Sequence, residues 1–180
     1  MRADSVLPLF CRAVASVAVL LALSAPVAGF EGRVVAVTDG DTVTVLDAGR
    51  REHKVRVAGI DAPERRQAFG ERAKWVLSDL VFGRIVEVVG DKKDRYGRRV
   101  PKLMVAEASC ADANCPRNVD AGLRLVESGL AWWYRKYQRE QSPDDRWSYE
   151  RAEGAARDAG RGLWQDKDPI SPWDWRRGGA

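Results

Sequence analysis

The amino-acid sequence predicts an α+β domain: a five-stranded barrel carrying three surface-packed α-helices. Three observations lead there. Short β-branched stretches that alternate apolar and polar residues crowd the first half of the chain. Stretches of helical period interrupt and follow them. Gly, Asp and Pro punctuate the boundaries. The composition is globular, with 45% apolar and 31% charged residues over 180 positions and a formal net charge of +4. It rules out a disordered chain and a strongly acidic solvating protein. Only one long apolar run is present, which rules out a helical transporter.

Residues 1–29 read as a secretory signal peptide. Arg2 and Arg12 precede the apolar run AVASVAVLLAL at 13–23, and Val27 and Gly29 are small enough for cleavage after Gly29. An uncleaved membrane anchor is the competing reading, because residues 13–30 carry no charge. Either way export is expected, to the periplasm or beyond. Removing the segment takes Arg2, Asp4 and Arg12 and leaves a mildly basic chain of one-domain size. The expected division is 1–29 signal, 30–165 domain and 166–180 a Pro- and Trp-rich tail.

The strands come first. RVVAVT at 33–38 and TVTVL at 42–46 flank Asp39-Gly40-Asp41, and Asp47-Ala48-Gly49 is a turn leading to HKVRVAGI at 53–60. Val55 and Val57 share one face of that third strand and Arg56 the other. Pro63 stops further pairing. Over 67–82 the period changes, and Phe69, Ala73, Val76, Leu77 and Leu80 mark a helix that Gly83 ends. RIVEVV at 84–89 and RVPKLMV at 99–105 are the fourth and fifth strands. A second helix spans 119–128, and a third starts with Ser142 as cap and Pro143 in its first turn, running to about 159. Five short strands with helices around them suit the OB-fold barrel.

Cys110 and Cys115 remain once Cys11 leaves with the signal. An even pair in an exported chain predicts a disulfide, whose short loop contributes about 2 kcal/mol. The single histidine, His53, lies in a polar hairpin and is expected at the surface.

Three carboxylates stand out. Asp41 follows the first turn, and Asp61 and Glu64 follow the third strand. In a three-stranded meander the end of strand three approaches the turn that opens strand two. Two carboxylates and a backbone carbonyl suit a hard cation, Ca²⁺ or Mg²⁺, while turn chemistry alone also explains an Asp-Gly pair. Residues 92–102, KKDRYGRRVPK, carry six basic residues and one acid, with Tyr96 inside the run. Tyr134 and Tyr137 sit in a second basic, aromatic run. Cations with interleaved rings suit single-stranded nucleic acid. A metal, a carboxylate beside it and two arginines compose a phosphodiesterase site.

These residues carry a resemblance. VVAVTDGDTVTV (34–45), VRVAGIDAPE (55–64), DRYGRRV (94–100), LVESGLAWWY (125–134) and ARDAGRGLW (156–164) follow the order and spacing of the staphylococcal nuclease-like family, the thermonucleases. The chain resembles that family over nearly all of 30–165. The resemblance implies a five-stranded OB-fold barrel with three helices and Ca²⁺-dependent cleavage of DNA and RNA by a monomer, leaving 3′-phosphate ends. It implies Asp41, Asp61 and the backbone carbonyl of Ala62 as calcium ligands. Glu64 is implied as general base, and Arg56 and Arg98 as the phosphate-binding arginines. Arg95, Tyr96 and Tyr137 are implied as substrate contacts, and Tyr134 is expected as a further one in place of the family's stacking aromatic. Arg135 departs from the pattern by standing where an aromatic stacks on a base, with Tyr134 next to it. The alternative is a catalytically silent OB module that binds nucleic acid or protein. Trp173 and Trp175 in the tail are read as packing residues, with a stacking surface for substrate as the competing reading.

Overall fold

The computed structural model describes residues 29–110 and 114–178. The signal expected over 1–29 lies outside them except for Gly29. The elements run β1 (Gly29–Val37), β2 (Thr42–Asp47), β3 (Glu52–Arg56), β4 (Ile60–Asp61), α1 (Gly70–Val81), β5 (Ile85–Val89), β6 (Lys102–Val105), β7 (Val119–Asp120), α2 (Ala121–Glu127), β8 (Trp132–Trp133), α3 (Pro143–Asp158) and α4 (Pro172–Trp175). The α+β class and the three expected helices are present, as α1, α2 and α3.

The strand pattern differs in detail from the sequence reading. The main sheet has six strands in the order β3-β2-β1-β5-β6-β7, all antiparallel, and β4 pairs separately with β8. The third expected strand breaks after Arg56 because Gly59 takes a φ of +77°, a left-handed turn that sends the chain out of the sheet. A side chain at Gly59 would also strike the Gln141 amide. The fifth expected strand enters its ladder only at Lys102, after Pro101, which has no N–H to give. β7 and β8 have two residues each, too short to show a period.

The barrel is not closed by a continuous ladder. One isolated parallel bridge, Val55 with Arg99, joins the β3 edge to the chain ahead of β6. Arg56 N–H donates to the Arg99 carbonyl at 2.8 Å, and Arg99 N–H to that of Lys54 at 3.1 Å. A register shift between Val34 and Ala36 breaks the even pairing of β1 with β2, the kind of irregularity that bends a sheet.

One core fills the interior. Val34, Val43, Val45, Val55, Val86, Val88 and Leu103 point in from the sheet, and Ala73, Leu77 and Val81 of α1 and Leu125 and Val126 of α2 cover them. Asp120 caps α2 by accepting from the Gly122 and Leu123 N–H groups, and it also takes the hydroxyl of buried Tyr149 at 3.0 Å. Ser142 caps α3, with Pro143 in its first turn, as the sequence predicts. Cys110 and Cys115 form the expected disulfide. His53 is half-buried rather than at the surface, because Asp47 Oδ2 lies 2.8 Å from its Nε2 and Phe30 covers its ring.

Candidate active site

Two short loops meet at one end of the sheet. The turn 39–41 between β1 and β2 lies on the loop after β4, and Gly40 makes that approach possible. A Cβ there would come within 2.7 Å of both Ala62 and Ala73. The Asp41 carbonyl accepts from Val57 N–H at 2.8 Å, which ties the turn to the chain beyond β3. Gln67, nearly buried, accepts from Glu64 N–H at 3.1 Å and holds the loop ahead of α1.

This arrangement brings Asp41, Arg56 and Asp61 together. One guanidinium nitrogen, Arg56 Nη2, donates to Asp41 Oδ2 at 2.9 Å and to Asp61 Oδ1 at 2.7 Å. Asp61 is fully buried and Asp41 is 6% exposed. The Thr42 hydroxyl donates to Asp41 Oδ1 at 2.8 Å, and the Ala62 N–H faces Asp41 Oδ2 at 3.4 Å. Burial raises the Asp61 pKa, against the lowering effect of Arg176 and Arg56. Although burial works against its charge, Arg56 stays more basic than usual because Asp41 and Asp61 flank it. Glu64 is half-exposed beside them.

Two residues join the cluster that sequence reasoning missed. Arg176, just beyond α4, donates from Nη2 to Asp61 Oδ2 at 2.6 Å. From Nη1 it donates to Glu64 Oε1 at 2.7 Å and to Asp61 Oδ1 at 3.3 Å. No local pattern marks it, since 112 residues separate it from Glu64. Asp39 accepts from Asp41 N–H at 3.1 Å, and burial together with the neighbouring Asp41 carboxylate pushes its pKa up to about 6. The Asp-Gly-Asp triplet was the available signal for it.

Arg98 does not reach the cluster's carboxylates by any ion pair. It sits on the 94–98 turn, with Nε and Nη2 both 2.8 Å from Asp94 Oδ2. Tyr96 is 69% exposed there, with Arg95 4.9 Å and Arg98 5.5 Å from its ring centre. Lys92 pairs with Glu140 and Lys102 with Asp145, so the field of the basic run is weaker than its sequence charge.

The aromatic run lies next to the carboxylates. Arg56 Cζ is 5.9 Å from the Tyr134 ring centre, and Tyr134 meets Tyr137 edge-on at 5.4 Å. Trp173 of α4 stacks on Tyr134 at 5.4 Å and meets Trp132 edge-on at 5.6 Å. Arg135 pairs with the buried Glu153 at 2.6 Å and covers Trp133, so it has become a structural group at the position where a base-stacking ring was expected. A cleft of about 430 Å³ opens here, walled by Tyr134 and Trp173 with Arg135, Lys136, Arg157 and Arg177 around it. Among the described residues no carboxylate lines it.

The donor set fits a hard cation. Asp41 and Asp61 already converge on one positive nitrogen, and four carboxylates, Asp39 included, against two guanidiniums leave the cluster negative. Among the described residues no three His, Cys, Asp or Glu side chains form a ready metal cage. A cation here would complete its shell with a backbone carbonyl, water and substrate oxygens, as hard divalent ions do.

The family model described as staphylococcal nuclease homologue matches residues 54–166. The chain is 42% identical to the micrococcal nuclease of Shigella flexneri, over 92% of this chain and 91% of that protein. It is also 42% identical to protein ParB of Escherichia coli, over 92% of this chain and 90% of that one. An uncharacterized endonuclease of Haemophilus influenzae is 39% identical over 81% of this chain and 72% of its own length.

Proposed function

Because this chain belongs to the staphylococcal nuclease homologue family, we propose that it is an exported nuclease that hydrolyses phosphodiester bonds of DNA and RNA with Ca²⁺ as cofactor. The observation that carries the proposal is the convergence of buried Asp41 and Asp61 on Arg56, with Glu64 beside them. Asp41, Asp61 and the carbonyl of Ala62 would hold the ion. When bound there, the ion would polarise a phosphoryl oxygen and offset the charge of the carboxylates.

The remaining work falls to the chain. Glu64, half-exposed at the rim, accepts a proton from the attacking water as its oxygen bonds to phosphorus, and the 5′-oxygen leaves and takes a proton from solvent, so that 3′-phosphate and 5′-hydroxyl ends form. Arg56 donates to the phosphoryl oxygens as charge grows on them. Arg98 supplies a second guanidinium from the 94–98 turn, exchanging Asp94 for the phosphate. Arginine suits both places because its fork matches two phosphate oxygens at once. Arg95 and Tyr96 on the same turn, and Tyr134 and Tyr137 on the other side, contact the flanking nucleotides. The cleft that Tyr134 and Trp173 help to wall, with Arg135, Lys136, Arg157 and Arg177 around it, suits a single strand.

Incubating the purified protein with DNA and with RNA, in Ca²⁺ or in excess EGTA, tests the reading. Cleavage of both in Ca²⁺ and of neither in EGTA is expected. Full activity in EGTA removes the ion from the mechanism, and no cleavage in either favours a silent binding module. Mass spectrometry of the exported protein tests the location: an N-terminus at Phe30 is expected, and an intact residue 1–29 segment indicates a tethered form.

A further inference from the structure

We propose that Arg176 is the resident counter-ion of the carboxylate cluster and competes with a divalent cation for Asp61 and Glu64. Cation binding then releases Arg176 and frees Glu64 to act as a base. The proposal rests on the cation-dependent reading above.

Arg176 engages both oxygens of Asp61 and one of Glu64. A hard cation needs carboxylate oxygens at about 2.3–2.6 Å. A guanidinium nitrogen 2.6 Å from Asp61 Oδ2 occupies that approach and repels a second positive charge. The charge balance points the same way. Asp41, Asp61 and Glu64 against Arg56 leave two negative charges, to which Asp39 adds, and a divalent cation offsets two of them where a single guanidinium offsets one. While Glu64 Oε1 accepts from Arg176, that oxygen faces a guanidinium rather than water.

The tail is fastened without Arg176. Pro172 is buried, Ser171 caps α4, and Trp173 stacks on Tyr134. Gln67, which also holds Glu64 N–H, donates to the Ile170 carbonyl. The Arg176 side chain is 43% exposed and lies just past α4, so it can swing into solvent while α4 stays in place. Its neighbour Arg177 pairs instead with Asp174 and provides a control of equal charge.

The experiment is calorimetric titration of the metal-free protein with Ca²⁺, comparing wild type with Arg176→Gln, Arg176→Lys and Arg177→Gln, each checked for folding by tryptophan fluorescence. Arg176→Gln is expected to bind about tenfold more tightly, within the usual range for coupled sites. Arg176→Lys, which keeps the charge and loses the fork, should fall between, and it carries the test if the Gln variant does not fold. Arg177→Gln should match wild type. Equal or weaker binding by Arg176→Gln overturns the proposal, as does equal tightening by Arg177→Gln. Measurable but unchanged affinity overturns this proposal alone. Absence of binding in every form overturns it together with the Ca²⁺ reading.

Discussion

Replacing Arg56 with Met should destabilise the metal-free protein by about 3 kcal/mol, the low end for breaking a buried ion pair by removing one partner. The Arg56 side chain is 14% exposed, and the side chains of its partners Asp41 and Asp61 are 9% and 1% exposed. Arg176 continues to hold Asp61 at 2.6 Å, which sets the low end of the range. Asp41 keeps the Thr42 hydroxyl and a long contact to Ala62 N–H, but no cation. For a domain of this size the loss corresponds to a fall in Tm of about 6–12 °C. Urea unfolding in EGTA, followed by tryptophan fluorescence, measures it. A cycle with Asp41→Asn then isolates the pair, with a coupling of about 1–3 kcal/mol expected for residues in contact. A variant within about 0.5 kcal/mol of wild type at unchanged m, or no coupling in the cycle, would refute the claim that Arg56 neutralises buried carboxylates.

The hairpin β2–β3 carries a pH signature. His53 and the Arg51 N–H hold Asp47 down at about 2, below its ordinary 3.8, so that contact stabilises the fold above pH 4 and the contribution is lost as pH falls to about 2. Asp47→Asn should therefore lower Tm at neutral pH, with the gap to wild type closing towards pH 2; a gap that stays constant over that window contradicts the assignment. Tyr149→Phe removes the buried hydroxyl from Asp120 and should cost about 1–2 kcal/mol in urea unfolding, because Gly122 and Leu123 still satisfy one Asp120 oxygen. No measurable change would mean the bond adds nothing over solvation.

The parts of the fold and site that sequence revealed are the local ones. Asp41 and Asp61 lie at strand ends whose period-2 pattern is plain, so a meander brings them near each other. Ser142 and Pro143 announced α3 for the same reason. Arg176 was hidden because its partners are more than a hundred residues away and its own surroundings, rich in Pro and Gly, have no period. Glu153 was hidden too: its helix reads as a polar surface, yet this residue turns inward to meet Trp133 N–H and Arg135. That contact explains why Arg135 tolerates a position where a ring was expected. The split of the third strand depended on Gly59, whose backbone sign cannot be read from an alternating pattern. Arg98 follows the expected motif in sequence, but in the structure Asp94, four residues back on the same turn, holds it.

The central claim is that Glu64 activates the attacking water, and Glu64→Gln tests it most directly. Gln keeps an acceptor for Arg176 and nearly the same volume, so the fold should be retained. Single-turnover cleavage of a DNA oligonucleotide in saturating Ca²⁺ should slow by roughly 10²–10⁴-fold, with Tm unchanged. A folded Glu64→Gln protein that cleaves at the wild-type rate would contradict the account.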